Sequence, residues 1–100
     1  MRENLKDRYP EVAILLDLYC HANNSDMDRF KAQVRRERWR ELNPTFKSDF
    51  QKVIDDRLIT MEEYLRLTDI DFETDDELFE YLQKIFDCVY NDGPDPDAVI

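Results

Sequence analysis

Thr74-Asp75-Asp76-Glu77-Leu78-Phe79-Glu80-Tyr81-Leu82-Gln83-Lys84-Ile85-Phe86-Asp87-Cys88-Val89 is the stretch that decides the fold. Leu78, Phe79, Leu82, Ile85, Phe86 and Val89 recur at the three-and-four spacing of one helix face, with Glu80, Lys84 and Asp87 opposite. Thr74 followed by Glu77 reads as a capping box, in which hydroxyl and carboxylate satisfy backbone donors that the first turn leaves unpaired. Asn91-Asp92-Gly93-Pro94 stops the run, and Gly93 is the expected left-handed C-cap. A helix with a single apolar stripe must lay that stripe on other elements, so the rest of the chain has to supply them.

Val12-Ala13-Ile14-Leu15-Leu16-Asp17-Leu18-Tyr19-Cys20 is apolar on nearly every face, and Pro10-Glu11 suits a first helical turn. A helix of that kind belongs at the centre, with the others wrapped around it. Residues 2–8 read as a loose turn before it, and His21-Ala22-Asn23-Asn24 as its end. Ser25 or Asp26 can cap a third segment, where Met27, Phe30 and Val34 make a stripe that then fails. Beyond Val34 the same face carries Glu37, Arg38 and Glu41, and Trp39 points away. Either the helix kinks near Arg35 or Trp39 leaves the core. Asn43 as cap and Pro44 as first residue open a helix with Phe46, Phe50, Val53 and Ile54 on one face, ending near Leu58. A second capping box, Thr60-Met61-Glu62-Glu63, starts a short helix bearing Tyr64, Leu65 and Leu67. One Gly, and four Pro at element boundaries or in the tail, disfavour a turn-rich β fold. The expected fold is all-α: a single-domain bundle of about five helices around a central apolar helix, over residues 1–92, with a flexible acidic C-terminal tail at 93–100.

Charge is distributed unevenly along this frame. Residues 1–54 carry 11 basic and 9 acidic side chains, a net of +2; residues 55–100 carry 3 and 15, a net of −12. A carboxylate-dense half repels phosphate and anionic membrane and attracts basic protein surfaces. Nucleic acid and membrane are therefore not expected partners. Cys20 and Cys88 lie far apart inside apolar stretches, which reads as buried thiols rather than a disulfide. Met1-Arg2-Glu3-Asn4 lacks an apolar signal region and no stretch has membrane-spanning length, so a cytosolic location is expected.

The run from Asp69 to Glu77 admits three readings. Asp75, Asp76 and Glu77 fit a first helical turn, where carboxylates complement the dipole. A calcium loop starting at Asp69 would use Asp71, Glu73, Asp75 and Glu80, but Thr74 stands where Gly is needed and Asp76 where an apolar residue is usual. The third is a protein-binding surface made by Asp55, Asp56, Glu62, Glu63, Asp69, Asp71 and Glu73, with Tyr64 and Tyr81 as aromatic anchors. Between Arg29 and Arg40 lie six basic residues and Trp39; pairing with the acidic half or solvation is the simpler reading, and RNA contact the sharper one. Cys20 and His21 are adjacent, hence about 100° apart on a helix, and form no dyad by themselves. There is no glycine-rich phosphate loop and no Cys/His metal spacing, so no catalytic residue, metal or cofactor is assigned.

Tyr9-Pro10-Glu11-Val12-Ala13-Ile14-Leu15-Leu16-Asp17-Leu18-Tyr19-Cys20-His21 resembles the opening of a group of immunity proteins from bacterial contact-dependent growth inhibition systems. Members of that group often begin with an aromatic-Pro-Glu, a leucine-rich helix, then an aromatic and a His. Small acidic helical immunity proteins of the bacteriocin type share the format. The resemblance implies a function: binding a cognate toxin domain and neutralising it. Nucleases bind phosphate in basic clefts, so the charge asymmetry points independently to the same kind of target. The expectation is an immunity protein that occludes the basic cleft of a toxin, with a monomer favoured. The alternative is a small acidic adaptor or nucleic-acid mimic acting on another basic protein.

Overall fold

Leu5–Arg8 (α1) is one helical turn whose Leu5 is fully buried against the helix that follows. In the computed structural model, which describes residues 5–22 and 24–93, this turn leads into Pro10–Tyr19 (α2). Cys20–His21 (β1) and Asn24–Ser25 (β2) then pair antiparallel as a two-residue ladder, Cys20 opposite Ser25 and His21 opposite Asn24. Met27–Arg35 (α3), Glu37–Leu42 (α4), Phe46–Asp55 (α5), Met61–Thr68 (α6) and Asp75–Asn91 (α7) complete the chain. The single-domain, all-α expectation holds, with seven helices among the described residues where about five were expected. The extra segments are the turn α1 and the short α4. Beyond Gly93 the expected tail lies outside the described residues, as do residues 2–4 of the expected loose turn and Asn23.

α2 is the central helix, packed against α1, α3, α5 and α6, and it shares the core with α7. Val12, Ala13, Leu15 and Leu16 are buried against α1, α3, α5 and α6, but Ile14 and Leu18, one turn apart, are 46% and 50% exposed. The expectation of a fully surrounded helix is corrected: its apolar residues exceed what its neighbours cover. The larger share comes from α7, whose Leu78, Phe79, Leu82, Ile85, Phe86, Cys88 and Val89 are all buried. Cys20 and Cys88 are buried, reduced thiols, as expected.

Aromatic rings join these layers. Phe50 lies 6.3 Å from Phe30, 5.9 Å from Phe46 and 5.6 Å from Phe86 between ring centroids, and Tyr19 and Tyr90 extend the chain at its two ends. Such offset and edge contacts add to area burial. Burial pushes the Tyr90 phenol up from 10.0 to about 12. An unfolded phenol ionises near 10, so above that pH the unfolded chain releases a proton that the native state keeps. The contribution to stability is full below about 10 and falls as pH rises towards about 12. Thermal unfolding followed through this window should steepen in its pH dependence, and Tyr90→Phe should flatten it.

Local chemistry sets the boundaries. The carboxylate of Asp26 and the hydroxyls of Thr60 and Thr74 accept from the backbone N–H three residues on, capping α3, α6 and α7 as the sequence indicates. The reciprocal half of each box is absent. Glu77 Oε2 accepts from Glu73 N instead, and Glu63 Oε2 accepts from Leu5 N at 2.7 Å. The break after Val34 is real: Arg36 is extended (φ −64°, ψ 127°), ending α3 and restarting the chain as α4. A continuous helix would have buried Glu37 and Glu41; the break lets Trp39 pack edge-to-face with Phe46, their ring centroids 5.0 Å apart. Two expected caps are corrected. Asn43 closes α4, its Nδ2 donating to Trp39 O, and α5 begins only at Phe46. Asp92, not Gly93, takes the left-handed conformation (φ 54°), and Gly93 N donates to Asp87 O.

Candidate protein-binding surface

The segment Asp69-Ile70-Asp71-Phe72-Glu73 joins α6 to α7, and its alternation decides what it presents. Ile70 and Phe72 turn inward and are half-buried; Asp69, Asp71 and Glu73 turn out and are exposed. The Phe72 ring sits between Tyr64 at 5.8 Å and Tyr81 at 5.5 Å. Below it, the buried Thr68 hydroxyl donates to Tyr64 O and accepts from Ile70 N. Asp69 takes the left-handed conformation that closes α6 (φ 60°), which Asp, with its short polar side chain, tolerates better than most residues. The three carboxylates are thus carried on a segment pinned from below, and none of them pairs with a cation among the described residues.

This geometry corrects the role of Tyr64 as a contact residue, whereas Tyr81 keeps a solvent-facing side. Tyr64 is fully buried, so it cannot touch a partner, and Tyr81 is half-buried beside Phe72. Both serve to hold the acidic segment. Their spacing on helical faces is the spacing of core residues, and the density of neighbouring carboxylates made them look like surface anchors.

The remaining acidic positions divide into two groups. At one end, Asp55 accepts from Gln51 Nε2 and Asp56 is the exposed C-cap of α5. Arg57 ties that end to the first turn of α7 through Asp76 at 2.7 Å, while its guanidinium lies 5.2 Å from the Phe79 ring centroid. The second group faces a groove of about 820 Å³ between α1, α2 and the start of α6, walled by Glu62, Glu63, Lys6, Arg8, Arg57 and Arg66, among others. Glu62 pairs with Arg66, and Glu63 holds Leu5 N. Glu63 is therefore a structural clamp as well as an acidic group. Glu63→Ala should lower stability by about 1–3 kcal/mol by leaving that N–H without its acceptor, a loss measurable by urea unfolding.

Sequence reading missed the groove and its cations. Its clue was available: of three basic residues beyond position 54, two, Arg57 and Arg66, stand there, joined by Lys6 and Arg8 from α1. Arg57 also holds a left-handed φ of 50°, which no side-chain pattern reveals. The six basic residues between 29 and 40 do not blanket the acidic half. Arg29 pairs locally with Asp26, and Arg35 alone of the six reaches beyond position 54, to Asp92 at 3.0 Å, among the described residues. The residues of the candidate calcium loop gather no cluster of three or more metal-ligating side chains among the described residues. None of the described helices is long and apolar enough to cross a membrane. No family model, curated protein or solved structure matches the chain.

Proposed function

We propose that the chain is an immunity protein that binds a basic toxin domain of the nuclease class and blocks it. What supports this reading is the pinned segment 69–73, whose outward carboxylates have no cation partner within the described molecule. Like charges held together destabilise one another, and a cationic partner removes that repulsion. Asp69, Asp71 and Glu73 supply the leading contacts, Asp55 and Asp56 widen the field at the α5 end, and Glu62 borders it. The mechanism is occlusion: carboxylates occupy positions that nucleic-acid phosphates otherwise take. Binding alone suffices, so no residue of this chain has to perform chemistry.

Co-expression with the product of the adjacent gene tests the proposal. The expected result is a stable one-to-one complex and a toxin domain inactive within it. A partner that stays separate and active in the presence of excess chain refutes it.

A further inference from the structure

α4 is the least fastened element of the fold. Alone among the described helices it has no buried residue: Leu42 is 72% exposed, and Glu37, Arg38, Arg40 and Glu41 face solvent. None of those four charged side chains makes an ion pair among the described residues, and no side chain caps the first turn. What holds α4 to the bundle is Trp39, half-buried on Phe46. Its six residues fall well short of the roughly 12–15 at which an isolated helix becomes even marginal in water, so α4 is helical only while docked. The other short helices are tied down. α1 buries Leu5, whose N–H donates to Glu63. α6 buries Tyr64 and Thr68, is capped by Thr60, and ends where Ala22 N donates to Thr68 O at 2.7 Å.

Both ends of α4 have the backbone of a hinge. Arg36 is extended between two helices, and Asn43 (φ −131°, ψ 60°) leads through Pro44 and Thr45 before α5 begins. The helices around α4 do not depend on it. Phe30 packs on Phe50, Phe50 on Phe86, and Arg35 reaches Asp92, so α3, α5 and α7 are joined by contacts that bypass α4. We infer that α4 is a hinged lid, which swings off Phe46 as one unit on Arg36 and Asn43 while the remaining helices stay folded. With the lid closed, Phe46 is 3% exposed and packs on Phe30 and Phe50. Opening turns the side of that ring beneath Trp39 into accessible apolar surface at the edge of the aromatic layer. The lid is a property of the fold and stands whether or not a toxin is the partner.

Native-state amide hydrogen exchange of the full chain, in water and in urea below the unfolding transition, tests this. The amides of Arg40 and Asn43 donate to Arg36 O and Trp39 O, and those of Glu41 and Leu42 lie between them. The expected result is one common protection factor over Arg40, Glu41, Leu42 and Asn43, at least about 100-fold below that of Leu82, Ile85 and Phe86 in α7. It should hardly change with urea, because opening the lid exposes little surface, whereas protection in α7 should fall along the slope of global unfolding. Val34 and Phe50, on the helices either side, should follow α7. Protection in α4 equal to that of α7, with the same urea slope, overturns the inference, since α4 then unfolds only with the whole bundle. Protection that declines residue by residue towards one end also overturns it, because that is fraying. Equally weak protection at Val34 and Phe50 does so too, because the moving unit is then that half of the bundle.

Discussion

Phe50→Ala should cost about 3–5 kcal/mol of folding stability, the largest loss expected from any single substitution considered for this chain. Phe50 is fully buried and touches rings from three other positions, Phe30, Phe46 and Phe86, which belong to α3, α5 and α7. Truncation removes its transfer free energy and leaves a cavity between aromatic rings that cannot close without moving helices. Domains of this size have only about 5–15 kcal/mol in total, so the variant should lie near the edge of folding. Urea unfolding with an unchanged slope measures the loss directly. Ile14→Ala is the matched comparison: it removes a large apolar side chain from a position 46% exposed, and should change stability by well under half as much. Equal losses at the two positions would mean that the core is not arranged around Phe50.

Much of this architecture was legible from side-chain spacing, and the failures have identifiable causes. The stripe of α7 and the caps at Asp26, Thr60 and Thr74 all read correctly, because each depends on residues within one or two turns. The reciprocal arm of the Thr60 box did not, because Leu5, 58 positions away, competes for the Glu63 carboxylate. The same limit explains α2. Its composition says how much apolar surface it has, but only tertiary packing says that Ile14 and Leu18 remain uncovered. In the acidic segment the carboxylates could be read individually. That Tyr64 and Tyr81 lie beneath them, gripping Phe72, follows from the way the 69–74 turn folds back on α6 and α7.

Reversing charge on that segment should separate a binding surface from mere solvation. Asp71→Lys with Glu73→Lys replaces two exposed carboxylates with ammonium groups and leaves the Phe72 contacts in place. If the cognate partner approaches this segment first, the substitution acts mainly on encounter, because rim charges change association rate and salt dependence more than dissociation. Association with the product of the adjacent gene should slow by about tenfold or more, with a shallower dependence on ionic strength. Glu11→Lys, also exposed but on α2, changes the net charge without touching the segment, so it distinguishes the local field from the overall one. A tenfold effect at Asp71 and Glu73 with little at Glu11 places the contact on the α6–α7 connection. An unchanged rate and salt slope in the double variant removes that segment from the interface and leaves the groove beside Glu62 and Arg57 as the surface to mutate next.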